Sequence, residues 1–438
     1  MEYIKVIGGG LAGSEAAWQI AQKGIRVKLY EMRPEKMTPA HSSNLFAELV
    51  CSNSLRASSL TNAVGLLKEE MRLLDSLIMF CADKTSVPAG GALAVDRKAF
   101  SELVTKKILT HPLIDVIREE TVFLPEEEIA VIATGPLTSD KLATEIAKLT
   151  GKEHLYFYDA AAPIVYGETI DYAQAFWASR YGKGSADYLN CALNEEEYSK
   201  FYQALIEAEV YPVKDFEKGC CFEGCMPIEV MAKRGYQTML FGPLKPVGLS
   251  DDRSEKKAVG VVQLRREDTA GTLFNMVGFQ TNLKWDEQKR VFRMIPGLEK
   301  AEFARFGIMH RNTFINSPEI LTPTTQLQKF PHLLIAGQIS GVEGYVESAA
   351  SGLLAGINAG RLYKGLNPVV FPRESAHGAL LNYITETQTD NFQPMNVTFG
   401  LLPPLTMKIR DKKRKNSLLA DRAIKAIKAW KTDNLELT

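Results

Sequence analysis

Along the opening stretch of the chain the apolar positions change period twice. Residues 3–7 form a short apolar run, 8–13 are mostly glycine, and 15–23 carry Ala16, Ala17, Ile20 and Ala21 at helical spacing before Gly24. A second apolar run over 25–30 ends on Glu31. Strand, glycine turn, helix and strand, in that order, predict a βαβ unit. Residues 34–94 are irregular and rich in Ser, Asn and Gly, with one helix predicted over 65–79. An amphipathic helix is predicted over 98–109, and a buried strand over 129–134 runs into Gly135.

From about residue 159 to 319 that rhythm gives way to mixed aromatic, glycine and charged clusters, as an inserted domain would show. Leu333-Leu334-Ile335-Ala336 then restores a buried-strand pattern, followed by glycines and a small-residue helix through Arg361. The chain closes with a Lys/Arg-rich segment over 408–431 that carries an amphipathic helix predicted at 418–430. The expected class is α/β, a doubly wound Rossmann-type domain assembled from residues 1–158 and 320–438. A smaller mixed α/β domain over 159–319 is inserted into it.

Totals narrow the class further. A chain of 438 residues favours two domains, and 45% apolar with 24% charged residues is enough to pack both. No run approaches the roughly 18 consecutive apolar residues of a membrane span, and the N-terminus shows no apolar leader core. A cytoplasmic chain with no membrane partner is therefore expected. Six cysteines in this length make no disulfide framework, so Cys220, Cys221 and Cys225 are expected as free thiols. They lack a second ligand pair and the C-x-x-C spacing, so no metal site is expected. A formal net charge of zero gives no global pull toward nucleic acid, and any polyanion must meet a local basic patch.

Gly8, Gly10 and Gly13 have the G-x-G-x-x-G spacing within Gly8-Gly9-Gly10-Leu11-Ala12-Gly13. Such glycines allow a tight turn, close backbone approach to a pyrophosphate, and close helix–strand packing. Glu31, at the end of the next strand, suits a ribose with a free 2′-hydroxyl. Residues 129–135, ending on Gly135, resemble the second strand segment of many FAD-binding folds. Residues 335–341, with Gly337 and Gln338, then 344–352, resemble the segment that closes such folds over the flavin. Together these point to FAD rather than to a nicotinamide dinucleotide in the cleft.

Phe222-Glu223-Gly224-Cys225-Met226-Pro227-Ile228-Glu229 places a cysteine between a glycine and a stiff Met-Pro exit, near Lys233 and Arg234. A thiolate there would be a competent nucleophile. A second cysteine, Cys51, lies in the polar stretch Glu48-Leu49-Val50-Cys51-Ser52-Asn53-Ser54-Leu55-Arg56. The same chain carries Gly90-Gly91-Ala92-Leu93-Ala94-Val95-Asp96-Arg97, a long block over 264–281, and Met309-His310-Arg311-Asn312-Thr313-Phe314-Ile315-Asn316-Ser317-Pro318.

With these blocks the chain resembles, over nearly its whole length, the bacterial folate- and FAD-dependent tRNA uracil-5-methyltransferases. That family is related to the MnmG/GidA flavoproteins. The resemblance implies transfer of a one-carbon unit from 5,10-methylenetetrahydrofolate to C5 of the T-loop uridine at position 54 of tRNA. FADH2 is the reductant, and NADH or NADPH regenerates it. It implies Cys225 as the C6 nucleophile and Cys51 as the group acting on the C5 proton, the reverse order being equally compatible with the chemistry. The same chemistry on a ribosomal RNA uridine, a flavin oxidoreductase of a small metabolite, and an aminomethyl-building relative of the MnmG type are the competing readings. Basic candidates for RNA contact are Lys408, Arg410, Lys412–Lys415, Arg265-Arg266 and Lys289-Arg290. The oligomeric state is not legible.

Overall fold

The computed structural model describes residues 2–151, 155–182, 185–212, 226–249, 258–387 and 392–436. Its main sheet draws on both ends of the chain. Across it run Leu333–Ile335, Ala130–Ile132, Ile4–Ile7, Val27–Tyr30 and Ile114–Ile117. Every neighbouring pair is parallel. Ile4–Ile7 lies between Val27–Tyr30 and Ala130–Ile132, so the order of strands reverses beside the first one.

The strands Ala130–Ile132 and Leu333–Ile335 read as unbroken apolar runs in the sequence because this sheet is covered on both faces. Val6, Val131 and Leu334 point into one core with the helices Leu11–Ala21 and Tyr345–Tyr363. Ile7, Ile132 and Ile335 point the other way, against Leu142 and Ile146 of the helix Asp140–Thr150. The helices Leu11–Ala21 and Tyr345–Tyr363 touch almost backbone to backbone: a Cβ on Gly352 would stand 2.2 Å from the Ala12 carbonyl oxygen.

A second, antiparallel sheet has six strands in the order Ala175–Ala178, Tyr188–Leu193, Gly260–Arg266, Leu273–Met276, Ile164–Tyr166 and Phe303–Arg305. The helices Glu195–Glu207, Ile228–Lys233 and Trp285–Phe292 close its core around Leu189, Phe201, Leu264 and Phe292. The chain passes from the first sheet to the second through Leu155–Ala160 and returns through Met309–Phe314, and these two strands pair with each other antiparallel.

Two expectations need correction. The helix expected over 65–79 is two helices, Ala63–Leu73 and Leu77–Lys84. Asp75 takes a positive φ of 58° between them, and the Ser76 hydroxyl caps the second by accepting the Met79 N–H at 3.2 Å. The C-terminal helix spans Lys412–Lys431, starting six residues before the expected position 418. Apolar periodicity marks only the part that docks, where Leu419, Ala420, Ala423, Ile427 and Trp430 are buried. No helix among the described residues is long and apolar enough to cross a membrane.

Candidate active site

Three adjacent strands of the parallel sheet end in glycine turns at the same edge. Gly8 follows Ile4–Ile7, Gly135 follows Ala130–Ile132, and Gly337 follows Leu333–Ile335. These turns frame a cleft of about 1020 Å³, counting the solvent at its mouth. It opens at the C-terminal ends of strands where their order reverses, which is where open α/β sheets bind ligands. Gly8, Gly9, Gly10, Leu11 and Ala12 line one side, and Gly135 with Gly337 and Gln338 line the other. Glu31 lines it from the end of the neighbouring strand.

Gly13, grouped with these in the sequence, does not line the cleft. A Cβ on it would sit 1.8 Å from the Gly8 carbonyl oxygen, so its part is to let the helix press onto the turn. Gly10 is the opposite case: a Cβ there meets nothing within 4 Å. Protein packing does not require a glycine at that position, and its bareness faces ligand space. The helix Leu11–Ala21 has no side-chain cap and no acid in its first turn; Tyr345–Tyr363 also starts without a side-chain cap, but its first turn carries Glu347, paired with Arg56. Tyr345 and Ser348 of the latter line the cleft. Two helix N-termini without caps suit the phosphates of a dinucleotide.

Glu31 is buried, and its Oε2 accepts the Gly9 N–H at 2.8 Å. Its Oε1 accepts both the backbone N–H and the Nε of Arg33, at 3.0 and 2.9 Å. Burial pushes its pKa up, but the Arg33 hydrogen bonds and charge and the Gly9 amide outweigh that and hold it below the usual carboxylate range. An ionised carboxylate has about four acceptor sites, and the one left open on Oε2 can take a ribose hydroxyl. Arg33, itself buried, also reaches Glu48 at 3.1 Å and the Ser43 carbonyl at 3.2 Å. The sequence reading assigned no role to Arg33 or Glu48, although the Glu31-Met32-Arg33 spacing sets an acid and a base two residues apart at a strand end. These groups fit FAD: bare backbone toward the phosphates and an ionised acid toward the ribose.

Cys51 stands beside this cleft. Its N–H donates to the Tyr345 hydroxyl oxygen at 2.7 Å, and the Ser52 N–H reaches the same oxygen at 3.3 Å. Val50, one residue before it, lines the cleft, as does Tyr345. The loop is fixed by three guanidinium groups. Arg97 donates to the Leu49 carbonyl while pairing through two bonds, 2.6 and 3.0 Å, with Glu267. Arg305 donates to the carbonyls of Val50 at 2.9 Å and Cys51 at 3.3 Å. Arg265 donates to Asn53 Oδ1 at 2.8 Å and Ser52 Oγ at 2.7 Å. Arg265 and Arg305 come from the antiparallel sheet, so the Cys51 loop sits on the seam between the two sheets.

Cys51 is only partly buried, with Sγ 3.7 Å from the Ala160 carbonyl oxygen. Cys81 and Cys191 are buried, and burial pushes both thiols up to about 12. Those two are packing residues. Cys225 lies outside the described residues, as do Cys220 and Cys221. The segment leaving it is anchored: the Ile228 N–H donates to the Gln280 carbonyl at 2.7 Å. Buried Glu229 accepts from the Thr281 hydroxyl and the Asn282 N–H, both at 2.8 Å. Among the described residues, no group of three His, Cys, Asp or Glu is placed to hold a metal ion.

Comparison with known proteins places this geometry in a family. Residues 3–367 match the family model "Glucose inhibited division protein A". A methylenetetrahydrofolate--tRNA-(uracil-5-)-methyltransferase TrmFO from Pelotomaculum thermopropionicum is 64% identical over 428 residues, 98% of each chain. The protein of the same name from Listeria innocua is 62% identical over 425 residues, 97% of this chain and 98% of its own. The crystal structure of Aquifex aeolicus GidA shares the fold, with a TM-score of 0.71 at 18% identity, covering 98% of this chain and 73% of that one. The chain belongs to the glucose-inhibited division protein A family and, within it, to the methylenetetrahydrofolate--tRNA-(uracil-5-)-methyltransferase TrmFO group.

Proposed function

We propose that this chain methylates C5 of the T-loop uridine, position 54, of tRNA in the cytoplasm. The carbon comes from 5,10-methylenetetrahydrofolate, and NADH or NADPH supplies the electrons. The observation that carries this reading is a half-buried cysteine, Cys51, held at the wall of a cleft built for FAD, in a chain so similar to the TrmFO proteins. FAD, once reduced, supplies the two electrons that take the transferred carbon from the methylene to the methyl level.

The chain's own residues supply the rest. The Cys225 thiolate adds to C6 of uracil, forming a C–S bond and leaving electron density at C5, an otherwise poor nucleophile. C5 then bonds to the folate methylene carbon, and Cys51 takes the C5 proton as that carbon's bond to the folate nitrogen breaks. Two-electron reduction of the carbon to a methyl group restores electron density at C5, and breakage of the C6–S bond then releases the Cys225 thiolate. Tyr345 and Arg305 hold the Cys51 loop through its amide and carbonyl groups, and the thiol, which donates to the Ala160 carbonyl, turns from it to serve the base. The uracil must leave its stack to reach this seam, as bases do in enzymes that modify them. Gly8 to Ala12, Gly135, Gly337 and Gln338 bind the dinucleotide, with Glu31 on its ribose.

Incubating the enzyme with FAD, NAD(P)H and folate labelled in its methylene carbon tests this against two RNAs. Label in the T-loop uracil of unmodified tRNA is the expected result. Label in a ribosomal RNA fragment and not in tRNA would change the substrate. Label in neither, with FAD bound and NAD(P)H consumed, would leave an oxidoreductase of a small metabolite.

A further inference from the structure

The charge of this chain is neutral only on average. Residues 408–431 contain ten Lys or Arg and two Asp, a net of +8, which leaves −8 on all the rest of a chain whose total is zero. Such segregation within one segment is what a polyanion-binding surface requires. The structure shows where these charges point. Asp411 is used as the N-cap of the helix Lys412–Lys431, its carboxylate accepting the Arg414 N–H at 2.6 Å. Lys412, Lys413, Arg414 and Lys415 crowd the first turn, where the helix dipole disfavours cations. All four are exposed, and none forms an ion pair among the described residues. The same holds for Lys408, Arg410, Lys425 and Lys428. These cations stand where the helix itself is destabilised by them.

Two other cations are spent on docking. Arg422 donates to the carbonyls of Pro403 and Pro404, and Lys431 reaches the Leu73 carbonyl and Asp75, each at 2.8 Å. The Trp430 Nε1–H donates to the Val370 carbonyl at 2.7 Å, and the apolar face of the helix is buried beneath it. That face is therefore not free to insert into lipid, which an interfacial membrane helix needs. The helix is a rigid bar of 20 residues, about 30 Å long, with its cations outward. Its second turn is tied to the chain that follows Cys51: Asn416 Nδ2 donates to the Thr61 carbonyl at 2.9 Å. Thr61 is ten residues from Cys51, a distance that no chain can stretch beyond about 35 Å.

We infer that this strip, led by Lys408, Arg410 and Lys412–Lys415, holds the sugar–phosphate backbone of the RNA whose uracil reaches Cys51. The inference rests on the RNA-methylation reading above. Contact is electrostatic, so it fixes position and affinity rather than sequence.

The test replaces Lys412, Lys413 and Lys415 together by Gln. Removing cations from a helix N-terminus does not weaken the helix, so Tm and FAD content report an intact fold. Affinity for an unmodified tRNA transcript is measured by anisotropy across a salt series, beside binding to vesicles of anionic lipid. The expected result is a Kd for tRNA raised roughly tenfold or more at low salt, with the log–log salt slope shallower by about 2. An unchanged Kd and slope would overturn the inference, and so would a loss confined to vesicle binding. Labelled-folate assays run alongside separate the two claims. Methylation by wild type with unaltered RNA binding by the variant sinks only the strip. Strip-dependent RNA binding without any methylation by wild type sinks only the reaction.

Discussion

Cys51 keeps a half-buried thiol while its amide and carbonyl and both chain neighbours are tied by hydrogen bonds. Fixing the backbone of a reactive side chain without sealing its sulfur is what a proton-handling group needs. Cys81 and Cys191 show the contrast, since burial leaves them unreactive near neutral pH. Brief treatment of the native protein with iodoacetamide at neutral pH should therefore label Cys51 and spare Cys81 and Cys191, as read by peptide mass spectrometry. Labelling of either buried thiol at a rate matching Cys51 would contradict the packing described. Glu31 carries a second expectation at this scale. Its folded-state pKa is held below the ordinary carboxylate value of about 4.3. Its contribution to stability and to ribose binding is thus complete above that value and is lost as pH falls below it through the folded pKa. FAD release, followed by flavin fluorescence, should rise as pH falls below the ordinary carboxylate range. In Glu31→Gln, FAD should bind roughly tenfold or more weakly at neutral pH, with a flatter acid limb.

The two glycines of the first turn allow fold and ligand binding to be separated at the level of an element. Gly13→Ala puts a methyl group into the Gly8 carbonyl, at 1.8 Å, and should lower stability by a few kcal/mol, about 2 or more, along with FAD retention. Gly10→Ala meets no protein atom within 4 Å, so Tm should hold while FAD affinity falls. Thermal melts paired with flavin content distinguish the cases, and a Gly10→Ala protein that keeps both would show that Gly10 does not face the cofactor. This turn was legible in the sequence because its signals are local: an apolar run, a glycine spacing, and an acid at the next strand end. The break between Ala63–Leu73 and Leu77–Lys84 was not, since Asp75 adopts its positive φ without a glycine or proline to announce it. Nor was the start of the last helix, where polar and basic residues hide the first two turns from an apolar periodicity.

Across the whole molecule, the Cys51 loop depends on residues that no sequence spacing could assign. Arg265 and Arg305 lie more than two hundred positions from Ser52 and Cys51, and they act through backbone oxygens and small side chains that have no pattern of their own. Their blocks could be recognised in the sequence, but the contacts they make could not. The clamp ties the Cys51 loop to both sheets, so loosening it should impair chemistry while sparing the cofactor. Arg305→Ala is expected to keep FAD yet lower methyl transfer roughly a hundredfold, because small misplacements of a reacting group are costly. Loss of FAD together with activity would instead assign Arg305 to the fold. Glu267→Gln leaves Arg97 with a buried charge short of its partner and should destabilise the protein by about 3 kcal/mol in urea melts.

The role proposed for Cys51 turns on one proton, the hydrogen at C5 of the target uracil. Its fate can be followed with tRNA carrying tritium at that position, by counting tritium released to water beside label gained from folate. Wild type should release one tritium for each methyl group formed, and Cys51→Ala, with FAD still bound, should release almost none. Tritium release by Cys51→Ala at the wild-type rate would contradict the placement of Cys51 as the group that takes the proton.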